Sequence, residues 1–128
     1  MSERRIYLGT ALGLFLVTFI AYLETMGGRT SFWDCGEFIA TAFSLGIPHP
    51  PATPLYVVLG RVFSLLPLPI AVAQKINMMS AFFGALGIAV LFILIVDFIR
   101  ERRGTPKTNV DRVVLYGCAL VGALFTAW

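Results

Sequence analysis

Hydrophobic positions along this chain fall into long unbroken runs, separated by polar or proline-rich intervals. Residues 6–23 form the first run, preceded by Arg4 and Arg5 and closed by Glu24. A bilayer core is crossed by about twenty apolar residues in a helix, so the run predicts a membrane helix over about 6–24. A signal peptide shares the charged start. Its apolar stretch is shorter, roughly 7–15 residues, and Thr25-Met26-Gly27-Gly28-Arg29 lacks a small-x-small cleavage pattern, so a retained helix is expected. A second run covers 76–98 and a third 113–128, the latter ending on Trp128, a residue at home in a membrane interface.

Between the first two runs, residues 25–75 break the pattern. They hold Pro48, Pro50, Pro51, Pro54, Pro67 and Pro69 and the only histidine. A short helix is predicted over 34–45, stopped by Gly46 and Pro48. Phe38, Ile39, Ala42 and Phe43 share one side of it, as in a helix lying at an interface. A second short helix is predicted over 54–66, with Thr53 as cap and Pro54 in the first turn. It is too short to span and reads as re-entrant or interfacial. The expected fold is all-α: a single membrane domain over 1–128 with three transmembrane helices, an external segment over 25–75 and a cytoplasmic loop over 99–112.

Composition sharpens the solvent. The chain is 58% hydrophobic and 13% charged, with a mean hydropathy of +0.84; soluble domains carry about a quarter charged residues. The net charge of +3 does not form a basic face interleaved with aromatics, so nucleic acid is not an expected partner. Instead Arg4 and Arg5, and the cluster Arg100, Arg102, Arg103, Lys107 and Arg112, flank apolar runs, which places both groups in the cytoplasm and the 25–75 segment outside. The expected location is a bacterial inner membrane, with the N-terminus cytoplasmic and residues 25–75 periplasmic. Cys35 and Cys118 fall in different segments and are not expected to pair.

The candidate chemistry lies in the external segment. Asp34 and Glu37, three residues apart, project from one side of a helix beside aromatic residues, where lowered polarity makes a carboxylate a useful base. The same spacing is that of a capping box, Asp34 taking a backbone amide and Glu37 reaching back, and the pair alone favours capping. Both readings stay open. His49, between Pro48 and Pro50, has restricted backbone freedom suited to a positioned hydrogen-bond donor; without a second histidine or a cysteine cluster, no metal is expected. Arg61 sits inside an apolar short helix and needs a partner: a lipid phosphate, Glu37, Asp34 or water. Small residues around Gly84 and Gly87, and Gly117 and Gly122, suit close helix packing.

Three strings carry a resemblance: Phe32-Trp33-Asp34-Cys35-Gly36-Glu37-Phe38, Leu45-Gly46-Ile47-Pro48-His49-Pro50-Pro51-Ala52-Thr53-Pro54-Leu55-Tyr56 and Leu59-Gly60-Arg61-Val62-Phe63-Ser64. Over roughly its first hundred residues the chain resembles a family of multi-pass membrane proteins, DUF2723, related to O-mannosyltransferases of the transmembrane protein 260 type. The resemblance implies a glycosyltransferase of the GT-C class, using a polyprenyl-phosphate sugar donor and a protein acceptor, with no further cofactor. It implies Asp34 as general base, Glu37 as its partner or an acceptor-positioning group, and Trp33, His49 and Arg61 as substrate-binding, the last two on the donor phosphate. Cys35 stands where that family has a small residue, often serine.

The class builds its cavity from about ten or more spans. Three helices cannot enclose such substrates, so this stretch alone is expected to be inactive. The competing expectation is a small accessory subunit of a respiratory or photosynthetic type of membrane complex, with membrane lipid and neighbouring subunits packed on its glycine faces.

Overall fold

A computed structural model describes residues 3–27, 33–50 and 53–127. The expectations that rest on Gly28, Arg29, Ser31, Phe32, Pro51, Ala52 and Trp128 lie outside these residues. The described chain is helical throughout, without a strand: α1 Glu3–Thr25, α2 Cys35–Ser44, α3 Pro54–Ser64, α4 Val72–Arg103 and α5 Asn109–Leu124.

Two helices, α1 of 23 residues and α4 of 32, are long and apolar enough to cross a membrane. Only 17% and 28% of their most apolar stretches are buried, whereas the core helix of a water-soluble protein is mostly buried. Leu12, Val17 and Ile20 on α1 and Val90, Leu94 and Phe98 on α4 stand exposed. Apolar faces of that extent mark contact with lipid or with another protein rather than water.

The third expected crossing, over 113–128, is corrected. α5 begins earlier, at Asn109, and ends at Leu124 after 16 residues. At 1.5 Å per residue it extends about 24 Å, short of a hydrocarbon core of about 30 Å. Its start is set by a capping box. The Thr108 hydroxyl accepts from the Asp111 amide (3.1 Å), and the Asp111 carboxylate accepts from the Thr108 amide (3.0 Å). The first turn is therefore built from polar residues that the apolar run does not contain. Thr108→Ala is expected to cost about 1 kcal/mol and to fray the first turn, read as faster hydrogen exchange at the Asp111 amide.

The chain forms two compact units. One comprises residues 1–22 and 83–128, the other residues 23–82. In the first, Phe92 and Val96 of α4 are fully buried among Leu14, Leu115, Ala119 and Ala123. Two glycines expected as docking faces work inside this unit: a Cβ on Gly84 would meet the Tyr22 ring at 3.1 Å, and one on Gly122 would meet Ile95 at 3.3 Å. Gly87 and Gly117 face open space. The flanking charges also bind the helices together. Arg100 donates to the Tyr116 hydroxyl (2.6 Å) and lies over the rings of Tyr7 and Tyr116. Glu3 accepts from Arg112 (3.0 Å), and Asp97 accepts from the Tyr7 hydroxyl (2.9 Å).

In the second unit α2 packs across α3, with Ile39, Ala42 and Ile76 as its buried core. The crossing depends on Gly60. A Cβ there would lie 2.7 Å from the Cβ of Ala42, with Ile76 at 3.6 Å behind it. α2 closes on Leu45, whose φ of 56° is left-handed, and the Gly46 amide donates to the Thr41 carbonyl (2.9 Å). The helix stops just before Gly46, as expected, but the left-handed residue is Leu45, at a cost of about 1 kcal/mol for a side chain bearing a Cβ.

Candidate functional site

α2 begins with Asp34 in the capping position, as the sequence predicts, but neither carboxylate caps. Asp34 has φ −77° and ψ 4° and makes no side-chain cap hydrogen bond. The usual extended capping backbone, which aims the side-chain oxygen at the N2 or N3 amide, is absent. Glu37 turns the other way, to the loop that follows α2. Its Oε1 accepts from the His49 backbone amide (2.7 Å), and its Oε2 lies 2.9 Å from His49 Nδ1. The far ring nitrogen, Nε2, lies 3.8 Å from Asp34 Oδ2. One imidazole thus stands between two carboxylates, both freed from the structural work that the pair alone suggested.

The proline frame explains why the loop can be held this way. Pro48 is buried while His49 and Pro50 are exposed, and the fixed proline dihedrals limit where His49 can point. The His49 ring packs on Phe38 (5.7 Å between centroids), and Phe38 meets the edge of Tyr56 on α3 (5.6 Å). The ring contacts run from His49 through Phe38 to Tyr56 of α3, at the α2–α3 crossing.

The two partners shift each other's protonation in opposite directions. The His49 hydrogen bonds hold the Glu37 carboxyl below its ordinary 4.5, and the Glu37 hydrogen bond, aided by its charge, holds the His49 imidazolium above its ordinary 6.5. Glu37's contribution to folding is present above its ordinary value and lost as pH falls through its lowered one. His49's is present below 6.5 and lost as pH rises through its raised one. Both operate together between 4.5 and 6.5. Protection of the His49 amide against hydrogen exchange is expected to be greatest in that window and to fall on either side.

The other residues singled out are placed as follows. Trp33, immediately before Asp34, is 93% exposed and has φ 62°. A bulky residue in the left-handed region is a genuine outlier, and such strain concentrates at ligand-handling positions. Arg61 is not with the acids. Its Nη1 donates to the Phe43 carbonyl at the end of α2 (2.7 Å), and its guanidinium lies over the Phe43 ring (5.3 Å). Lys75 similarly closes the Leu66 carbonyl (2.7 Å). Thr53 precedes α3 without a side-chain cap bond, although Pro54 takes the first turn as expected. Cys35 and Cys118 are both free thiols.

The expectation of no metal considered histidines and cysteines and overlooked carboxylates. Asp34, Glu37 and His49 each bring a donor atom within 4.8 Å of the others. Both Glu37 oxygens and His49 Nδ1 are engaged with one another, so a cation would have to break that pair. The His49 link, twelve residues from Glu37, has no signature in local periodicity. The proline frame was its only trace in the sequence.

Residues 34–128 match the family described as the N-terminal domain of the protein O-mannosyl-transferase TMEM260. A protein O-mannosyl-transferase tmem260 of Dictyostelium discoideum is 38% identical over 88 residues, 67% of this chain and 10% of the relative. The Mus musculus protein O-mannosyl-transferase TMEM260 is 38% identical over 60 residues, 46% of this chain and 8% of the relative. The chain spans about a tenth of the length of the curated relatives it matches. No solved structure matches it.

Proposed function

Since the chain belongs to the family of TMEM260 N-terminal domains, we propose that it carries the acceptor-activating part of a membrane glycosyltransferase of GT-C type, moving a mannosyl group from a polyprenyl-phosphate donor to a protein hydroxyl. The observation that carries this reading is the α2 start, where Asp34 and Glu37 are released from capping and arranged about His49.

In this reading Asp34 is the general base. It removes the proton of the acceptor hydroxyl as the oxygen attacks the anomeric carbon, and the bond to the lipid phosphate breaks with its electron pair leaving on phosphate. One displacement inverts the anomeric centre. Trp33 offers an exposed aromatic face beside the base, suited to a sugar ring. Arg61 spends one of its five N–H donors on Phe43, so others remain for the donor phosphate. Residues 25–75 lie on the non-cytoplasmic side, where lipid-linked sugars are presented, and in a bacterium that side is the periplasm. The remainder of the substrate cavity comes from outside this stretch.

The test is transfer of radiolabelled mannose to a serine- or threonine-containing peptide by membranes holding the protein, with either a polyprenyl-phosphate or a nucleotide sugar as donor. The proposal expects use of the lipid-linked donor alone and a product of opposite anomeric configuration. Transfer from the nucleotide sugar, or retention of configuration, would overturn it.

A further inference from the structure

A carboxylate that takes a proton from an acceptor must lose it again before the next turnover, and His49 is placed for that purpose. His49 Nε2 is 3.8 Å from Asp34 Oδ2, beyond a direct hydrogen bond but within the reach of a side-chain rotation or one bridging water. The ring is not free to choose its orientation. Glu37 holds the His49 amide at 2.7 Å and Nδ1 at 2.9 Å, gripping backbone and ring with the two oxygens of one carboxylate. A neutral imidazole has one N–H and one bare nitrogen, and a carboxylate at Nδ1 demands the N–H there. The bare nitrogen is then Nε2, facing Asp34.

We propose that Glu37 is a positioning residue that acts through His49, fixing the tautomer in which Nε2 is free to take the acceptor's proton from Asp34. The inference rests on the reading of Asp34 as general base. The steps balance: the acceptor O–H bond breaks as an O–H bond forms on Asp34, then that bond breaks as N–H forms on Nε2. The imidazolium so produced lies between two carboxylates and releases its proton to water, restoring both groups. Its positive charge arises as the leaving lipid phosphate gains negative charge. Among the described residues, the titratable groups facing His49 are Glu37 of α2 and Asp34 at its N-cap. From α3, Tyr56 meets the Phe38 ring that lies between it and His49, and Arg61 is held at Phe43.

This assignment differs from an acceptor-positioning role for Glu37, which would need an oxygen directed at substrate. It also agrees with the direction of the protonation shifts, since Glu37 stabilises the imidazolium that the relay passes through.

His49 is the sole histidine among the 128 residues, so the chain labelled with ¹⁵N-histidine reports this site alone. In detergent micelles, above the imidazole pKa, the expected spectrum is that of the Nδ1–H tautomer. Glu37→Gln, which keeps an amide oxygen for the backbone N–H, is expected to shift the ring toward the Nε2–H form and lower its pKa. A predominant Nε2–H tautomer in the unsubstituted chain, or one that Glu37→Gln leaves unchanged, would overturn the proposal whatever the activity proves to be. In transfer assays Glu37→Gln is expected to lower kcat at least tenfold with the acceptor KM unchanged, and to move the acid limb of the rate profile to lower pH. A rise in KM alone would return Glu37 to acceptor binding. His49→Gln serves as the second variant, with an expected loss of kcat of similar size; wild-type kcat in that variant would also refute the relay. Loss of the tautomer preference is thus readable even if Asp34 proves not to be the base.

Discussion

Asp34→Asn is expected to reduce the transfer rate by a factor of about 10² to 10⁴, the range that a positioned general base contributes, while leaving the protein folded. The two halves of that expectation come from different observations. Asparagine has the shape of aspartate but cannot accept a proton at neutral pH, so the acceptor hydroxyl would attack without deprotonation. Folding should be indifferent because the Asp34 side chain makes no cap hydrogen bond, and among the described residues its nearest titratable partner stands at 3.8 Å. Had Asp34 been a working cap, its removal would have lowered stability along with activity. An unchanged melting temperature with lost transfer is therefore the signature to look for, measured by thermal unfolding in detergent beside initial rates.

Gly60→Ala is the second large effect, and it acts through packing. The new Cβ would sit 2.7 Å from that of Ala42, a separation real Cβ pairs do not adopt, so α2 and α3 must part. Inserting a methyl into such a contact costs about 1–3 kcal/mol. The displacement is expected to reach the site, because α2 carries Asp34 and Glu37 and the aromatic contacts from Tyr56 through Phe38 to His49 cross the same seam. Ala42→Gly placed on top of Gly60→Ala removes the opposing methyl. The pair should recover much of what the single change lost, a coupling of about 0.5–3 kcal/mol in a double-mutant cycle. Two independent, additive effects would show that the helices do not meet there.

The long apolar runs made α1 and α4 legible, because a helix clad in lipid needs little beyond uninterrupted hydrophobicity. Their ends were less so. α4 starts at Val72 and carries Gln74, Lys75 and Asn77 in its first turns, then runs on through Arg103 until Gly104 at φ 82° stops it. Backbone hydrogen bonding continues past the first charge, whereas a count of apolar residues stops there. α5 shows the same error at its start: its capping pattern, Thr108 to Asp111, is in the sequence, yet the apolar run begins four residues downstream of Asn109. The same kind of spacing at Asp34 and Glu37 misled in the other direction. A residue pattern states which bonds are available, and here the backbone at Asp34 and the competing His49 decided that they form elsewhere.

The identities of the candidate residues were readable from chemistry and resemblance, but their partnerships were not. Glu37 and His49 are joined across a proline-framed turn, and Arg61 is joined to a helix end eighteen residues away. Both bonds join residues far apart along the chain, which no local period encodes.

Chemical rescue of Asp34→Ala tests the central claim most directly, since it supplies a carboxylate where one has been removed. With saturating polyprenyl-phosphate mannose and peptide acceptor, the variant should transfer mannose at least a hundredfold more slowly than the unsubstituted protein. Added formate should raise that rate in proportion to its concentration. Transfer at the unsubstituted rate without formate, or a slow rate that formate leaves flat, would contradict the assignment of Asp34 as the base.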